Sequence, residues 1–338
     1  MPTGSDKIKN IVVTGGAGFI GSHLCERLLH DGNRVICVDN FATSHEQNVN
    51  GLLQNPNFQF LRLDVNEQFD LSEFPELGAF KLKFQGVQEI YHLACPTTVK
   101  KFDQYKMQTL LTNSIGTRHV LDMAVKYRAR ILFSSSSVVY GGRTDGRLIF
   151  HEEDEGAFDH LSPRACYDEG KRFAETMCAT YNQVHGIEIK IARIFRTYGP
   201  RMPLFDGHLI PDFVLSAIDN KPLVIYGTES FRTSLCYVTD VVDGIIRLMA
   251  SPSDVQVVNI GSDQDVALKD VAQKVIEMTG SNSTIIFEQN LAFLTELGLP
   301  SIARAKELLG WLALVRLEDG LTKTIEYIRA NKILLTSL

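Results

Sequence analysis

No apolar run in this sequence approaches the ~20 residues that span a bilayer, so no membrane-crossing helix is expected. The first ten residues, MPTGSDKIKN, lack the apolar core of a secretory signal. Cysteine is sparse and scattered. Cys25, Cys37, Cys95, Cys166, Cys178 and Cys236 form no C-x-x-C pair, which argues against a disulfide framework and against a thiolate metal site. The nine histidines show neither H-x₃-H nor H-E-x-x-H spacing, so no metal site is expected. No block of like charge occurs, and a net charge of −6 gives no footprint for nucleic acid or an anionic membrane. These absences point to a reduced, cytoplasmic protein without nucleic-acid or membrane partners. An anionic substrate then requires a local basic pocket.

What is present is ordinary globular composition, 44% hydrophobic and 22% charged over 338 residues, enough to bury a sizeable core. Asn10–Thr14, Arg34–Val38, Phe58–Leu63, Glu89–His92, Ala129–Ser135 and Ile187–Ile194 read as strands. Gly18–His30, Gln108–Tyr127 and Tyr167–Gln183 read as helices. In the last of these, Phe173, Met177, Tyr181 and Val184 recur on one helical face. The alternation predicts an α/β fold, a parallel sheet covered on both faces. Asp70–Gln85 is irregular and reads as a surface excursion. Beyond Arg193 the pattern turns to short elements punctuated by Pro200, Pro203, Pro211 and Pro222. The expectation is a Rossmann-type doubly wound sheet over residues 1–196 and a smaller C-terminal α/β substrate lobe over 197–338, with an element of the lobe returning to the main sheet. The cleft between them is the expected ligand site.

The first strand runs into Gly15-Gly16-Ala17-Gly18-Phe19-Ile20-Gly21 and then a helix. Gly15 permits the tight turn, Gly18 lets backbone approach a pyrophosphate, and Gly21 lets the helix pack on the sheet. The helix start supplies unpaired N–H groups and a partial positive charge. Asp39 ends the second strand, where a carboxylate accepts hydrogen bonds from ribose hydroxyls and repels a 2′-phosphate. Asn40 and Phe41 after it offer no arginine for such a phosphate, so NAD is expected rather than NADP. Asp64 and Val65 fall where the adenine edge is expected; the competing reading of Asp64 is a helix N-cap.

Tyr167 and Lys171 lie four apart, on one helix face. A phenol with a pKa near ~10 is a poor base at neutral pH, and an adjacent ammonium favours the phenolate. Tyr-x-x-x-Lys alone is a weak signal. Here it follows a dinucleotide turn and a serine-rich strand end, Phe133-Ser134-Ser135-Ser136-Ser137-Val138-Val139-Tyr140-Gly141, which can aim a hydroxyl at a substrate oxygen.

With these residues on the page, the chain resembles the extended short-chain dehydrogenases/reductases over nearly its whole length. TGGAGFIGSHL, YHLA, the serine run before VYG, YxxxK and RxxxTYGPRM occur in that family's order. Ser162-Pro-Arg-Ala-Cys-Tyr-Asp-Glu-Gly-Lys-Arg172, Ala192-Arg-Ile-Phe, Asp206-Gly207 and the segment from Ala305 to Trp311 look most like its UDP-glucuronate decarboxylases. The resemblance implies NAD held by Gly15, Gly18, Phe19, Ile20, Gly21, Asp39, Asn40, Asp64, Val65, Leu93, Tyr167 and Lys171. It implies a nucleotide-sugar substrate, with Tyr167 as the base for the sugar C4 hydroxyl. Ser136 would hydrogen-bond that hydroxyl, and Lys171 would hold the nicotinamide ribose and lower the Tyr167 pKa. Ser137, Arg196 and Arg232 are the expected substrate ligands. Helices around Gln108–Tyr127 and Tyr167–Gln183 would form a homodimer interface.

Four positions depart from the decarboxylases. Val138 stands for their glutamate, Thr233 (beside Arg232) for an arginine, and Arg196 for an asparagine. An arginine near Thr295–Pro300 has no counterpart. The first reading is therefore a decarboxylase working through a 4-keto sugar, and the alternative is a UDP-sugar or UDP-glucuronate 4-epimerase. A reading from another class is a non-catalytic NAD(H)-binding regulator. A 4,6-dehydratase would want a carboxylate at the serine-rich strand end, where there is none.

Overall fold

Valine and isoleucine fill the first strand, Asn10–Thr14, and Ile11, Val12 and Val13 are all fully buried. A strand that is apolar on both faces belongs inside a parallel sheet covered by helices on each side. The computed structural model, which describes residues 8–142, 147–254, 256–289 and 297–336, has it near the middle of such a sheet. Seven strands run in the order Val257–Ile260, Ile189–Ile194, Arg130–Ser136, Glu89–His92, Asn10–Thr14, Arg34–Asp39 and Phe58–Arg62. All neighbours are parallel, and Val13 sits between Cys37 and Tyr91. Period two sorts the side chains: Ile11, Val13, Val35 and Cys37 enter one core, while Val12, Ile36, Val38 and Phe133 enter another.

The chain moves outward from the first strand to Phe58–Arg62, then returns to Glu89–His92 on the other side. That reversal opens a crevice at the carboxyl ends of the strands. Three helices flank it. Phe19–His30 follows the glycine turn, and Ala165–His185 carries the tyrosine and lysine. The third was expected as Gln108–Tyr127 but already begins at Phe102. It runs as Phe102–Leu111, a π turn at Thr112–Gly116, then Thr117–Tyr127. The π turn presses Asn113 against Gly170, where a Cβ would lie 3.2 Å from the Asn113 side chain.

Asp70–Gln85 is not the bare surface excursion expected. It folds into 3₁₀ turns at Leu71–Glu73 and Pro75–Phe80 and a helical turn at Leu82–Gln85. Leu71, Leu77, Phe80 and Leu82 are buried in the second core, an irregular apolar spacing that no helix or strand period shows. After residue 197 the chain does come back to the main layer. Val257–Ile260 pairs with Ile189–Ile194, and helix Val238–Ala250 packs on the sheet. The remaining lobe pairs Leu223–Tyr226 with Ile285–Glu288, packed against helices Leu209–Ile218 and Leu268–Thr279, which also touch each other. Among the described residues no helix is long and apolar enough to cross a membrane.

Candidate active site

A cavity of about 400 Å³ opens at the crevice, and both lobes line it. Its first half is the glycine turn. Gly15 has φ +70°, and a Cβ there would lie 2.7 Å from the Ala94 backbone nitrogen. A Cβ on Gly21 would meet the Gly15 carbonyl oxygen at 2.1 Å, so only glycine lets the helix approach this closely. Gly18 caps that helix without a side-chain bond, leaving the first-turn amides of Phe19, Ile20 and Gly21 without intrahelical acceptors beside the cavity. Asp39, 8% exposed, accepts from the Ala17 amide at 3.0 Å, the Phe41 amide at 2.9 Å and the Ser44 hydroxyl at 2.7 Å. Oδ1 takes two of these bonds and Oδ2 only one, so Oδ2 keeps lone-pair capacity for a further donor. Asn40 Nδ2 donates to Asp64 at 3.0 Å, and Asp64 also accepts from the Asn66 amide at 2.8 Å. Asp64 therefore closes a local turn rather than capping a helix. Val65 and Leu93 complete this wall. A pyrophosphate cradle with a carboxylate at the ribose position fits NAD. Arg62 lies 5.7 Å from the Phe41 ring but does not line the cavity.

The other half holds the proton-transfer residues. The serine strand ends at Ser136, whose hydroxyl faces the same cavity as Tyr167 and draws its phenol toward ionisation. Lys171 is 2% exposed, donates to the Ser134 carbonyl at 2.9 Å, and lies 6.0 Å from the Tyr167 ring centroid. Burial pushes the Tyr167 phenol well above its ordinary value, and the Cys95 thiol adds to this; Ser136 and Arg164 draw it back. Burial lowers the Lys171 pKa, opposed by Cys95, Cys178 and Glu175. At Tyr167 burial outweighs both Ser136 and Arg164. The chain alone keeps Tyr167 protonated at neutral pH, and phenolate needs further positive charge beside it. Ser137, 3% exposed, lines the cavity next to them.

Arg196 lines the cavity from the loop that follows Ile189–Ile194. Arg232 does not. It lies on a short strand pair, half exposed, with Nε 2.6 Å from Asp265 Oδ2 and a second bond to the Asp265 carbonyl. Fifteen of the sixteen residues singled out by sequence converge on one cavity, and Arg232 is the exception. Residues 295 and 296 of the Thr295–Pro300 stretch lie outside the described residues. Sequence reasoning passed over the latch between the lobes. There the Thr98 hydroxyl donates to Asp206, the Lys100 amide donates to the Asp206 carbonyl at 3.0 Å, and His208 sits 3.3 Å from the Asp206 carboxylate. The Asp206-Gly207 motif was its one visible trace. Among the described residues no cluster of His, Cys, Asp and Glu forms a metal site.

Comparison with known proteins converges on the same chemistry. A family model described as the NAD dependent epimerase/dehydratase family matches residues 11–261. UDP-glucuronic acid decarboxylase 1 of Xenopus tropicalis is 39% identical over 324 residues, covering 95% of this chain and 72% of that protein. UDP-glucuronic acid 4-epimerase from Bacillus cereus, solved with UDP-glucuronic acid and NAD, superposes with a TM-score of 0.82 at 27% identity, covering 95% of this chain and 99% of that one. UDP-glucose 4-epimerase from Thermotoga maritima, solved with UDP-glucose, gives 0.82 at 25% identity, covering 96% and 99%.

Proposed function

Since this chain belongs to the NAD dependent epimerase/dehydratase family and is an NAD-dependent enzyme, we propose that it decarboxylates UDP-glucuronate through a 4-keto sugar. The observation that carries the reading is the convergence of Ser136, Tyr167 and Lys171 in the cavity that also holds the dinucleotide turn. Bound NAD supplies two-electron oxidation and reduction at the sugar C4. Tyr167 takes the C4 hydroxyl proton, and Ser136 hydrogen-bonds that hydroxyl to orient it. Lys171, on the same helix face, would hold the nicotinamide ribose. A glucuronate oxidised at C4 is a β-keto acid: its C5–C6 bond breaks, C6 leaves as CO₂, and C5 takes a proton. The enzyme has mainly to hold that intermediate. Residues 1–196 supply the cofactor half, and 197–338 the substrate lobe, less the elements returned to the sheet. Arg196 is the candidate diphosphate ligand.

The second reading is a UDP-sugar 4-epimerase, favoured by Val138, which is buried and lines the cavity without a carboxylate. A non-catalytic NAD(H) sensor has no need of the Ser136–Tyr167–Lys171 set. Incubation with UDP-, dTDP-, CDP- and GDP-sugars, read by mass spectrometry and chromatography, separates the three. Loss of CO₂ from UDP-glucuronate is expected. A new sugar of unchanged mass means epimerisation, and NAD-loaded protein that converts nothing means a sensor.

The protein is proposed to work as a homodimer in the cytoplasm. Six free cysteines suit a reducing compartment. Met107, Leu110, Ile115 and Phe173 are exposed apolar side chains on the two helices named for the interface, Phe102–Tyr127 and Ala165–His185. Sedimentation equilibrium tests the dimer.

A further inference from the structure

Behind the proton-transfer residues lies a polar network that the mechanism does not use. Glu175 is four residues beyond Lys171, on the same face of helix Ala165–His185. Its Oε1 accepts from the Ser135 hydroxyl and from Arg193 Nε at 3.0 Å, and its Oε2 accepts from Arg193 Nη2 at 2.7 Å. Arg193 Nη1 donates to the Tyr140 hydroxyl at 2.9 Å and to the Glu152 carbonyl at 2.9 Å. The Tyr140 hydroxyl donates to Asn259 Oδ1 at 2.7 Å. The paired side chains are only 13% and 14% exposed.

A buried ion pair is weak grounds for stability, because desolvation offsets much of its attraction. Its placement says more. Ser135 precedes Ser136, Glu175 shares a helix with Tyr167 and Lys171, and Arg193 lies three residues before Arg196. One bidentate pair thus ties together the serine strand end, the helix and the strand that leads into the Arg196 loop. Tyr140 and Asn259 extend the tie to the 3₁₀ turn after Ser136 and to the outermost strand. Ser136 and Tyr167 line one cavity from two different elements, so their spacing is only as accurate as the docking of those elements. A misplacement of about 1 Å costs up to ~10²-fold in rate.

We propose that Glu175 and Arg193 are positioning residues, a clamp that docks the serine strand onto the tyrosine–lysine helix and so holds Ser136 and Tyr167 in reacting geometry. The proposal rests on the reading of Ser136, Tyr167 and Lys171 as the proton-transfer set. Glu175 also opposes the lowering of the Lys171 pKa by burial.

The test is Glu175→Gln in the NAD-loaded full chain, which keeps the shape, removes the charge and turns an amide N–H₂ toward the guanidinium. With the UDP-sugar that the wild-type enzyme converts, kcat is expected to fall about tenfold to a hundredfold while KM moves less than about threefold. Ser135→Ala, which cuts only the strand link, should follow with a smaller loss of kcat, and it carries the test if Glu175→Gln does not fold. Hydrogen exchange read by mass spectrometry needs no substrate. Peptides spanning Ser134–Tyr140 and Ala165–Cys178 should exchange faster in Glu175→Gln, while peptides spanning Asn10–His30 stay as in wild type. A lower Tm with kcat retained, or faster exchange throughout the chain, makes the pair merely structural and overturns the clamp. If the wild-type enzyme converts no UDP-sugar, the proposed activity is what fails, and the exchange contrast alone decides the clamp.

Discussion

The two walls of the cavity are built by different means. The cofactor wall is made of main chain. Gly15, Gly18 and Gly21 bring backbone to within touching distance of the Ala94 segment and of each other, and Asp39 is fixed by two backbone amides and one hydroxyl. The wall proposed for the substrate is made of side chains from loops of both lobes, joined by the Thr98–Asp206 bond, with Arg196, Leu235 and Leu297 among its lining. Main-chain geometry at the end of a parallel strand follows from local sequence, since only glycine fits where a Cβ would collide. Side-chain geometry between loops depends on where the lobes dock, which no local pattern encodes. The two walls should therefore differ in how sharply single substitutions separate cofactor binding from substrate binding.

The largest expected effect lies where the walls meet. Tyr167→Phe removes one hydroxyl and leaves the ring packed, so fold and NAD affinity should hold. Loss of a general base costs ~10²–10⁴-fold in turnover. Growth of NADH absorbance in enzyme-bound NAD mixed with UDP-sugar is the readout. A variant near wild-type turnover would remove Tyr167 from the mechanism. Lys171→Ala should in addition weaken cofactor binding, a difference that separates the two roles.

The substrate wall is probed by its two arginines. Arg196→Ala should raise KM for the UDP-sugar about tenfold to a hundredfold, the loss of a charge-assisted contact worth ~1.5–3 kcal/mol, with NAD affinity unchanged. Arg232→Ala should change KM little, because its guanidinium is exposed and already paired with Asp265. The opposite ranking would mean that the short strand pair carrying Arg232 folds onto the substrate when it binds.

The cofactor wall is probed by Asp39→Asn. It should weaken NAD about tenfold to a hundredfold through lost charge-assisted bonds and narrow the preference over NADP. Titration of cofactor-free protein with both nucleotides reads it. Equal affinities for NAD and NADP in the wild-type protein would undo the assignment of Asp39 to the ribose.

The same contrast governs how much could be read beforehand. Of the strands expected, Asn10–Thr14 and Glu89–His92 have the bounds foreseen, because buried parallel strands are short apolar runs between breakers. The glycine turn and the tyrosine–lysine spacing were legible because each is a local rule. Asp70–Gln85 was misread because its buried leucines follow no period. Arg232 was placed by proximity to an expected family position, yet its side chain turned to Asp265. The Glu175–Arg193 clamp joins residues 18 apart in sequence across two elements, and nothing in the spacing marks them as partners.

The last and smallest effect is a proton-linked weakness at buried histidines behind the cavity. His92, 1% exposed at the end of its strand, has Nδ1 2.7 Å from the Thr14 hydroxyl oxygen and Nε2 3.2 Å from that of Thr117. Burial, with the Lys171 charge behind it, lowers its pKa from 6.5 to about 3. The folded protein thus refuses a proton that the unfolded chain accepts. The stability contributed by neutral His92 is complete above about pH 6.5 and is lost as pH falls from there toward about 3. The slope approaches ~1.4 kcal/mol per pH unit for this one group. His23, bonded to the Pro200 carbonyl at 3.0 Å, acts with the same sign, its pKa lowered to about 4 by burial and then Arg201. Asp212 and Asp240, raised by burial, act with the opposite sign from the carboxylate range upward, so the histidine contribution is read in the window nearest pH 6.5. Urea unfolding across that window should show stability falling with acid, and His92→Gln should remove about half of the slope. An unchanged slope in His92→Gln would move the proton-linked weakness away from the strand end beside Lys171.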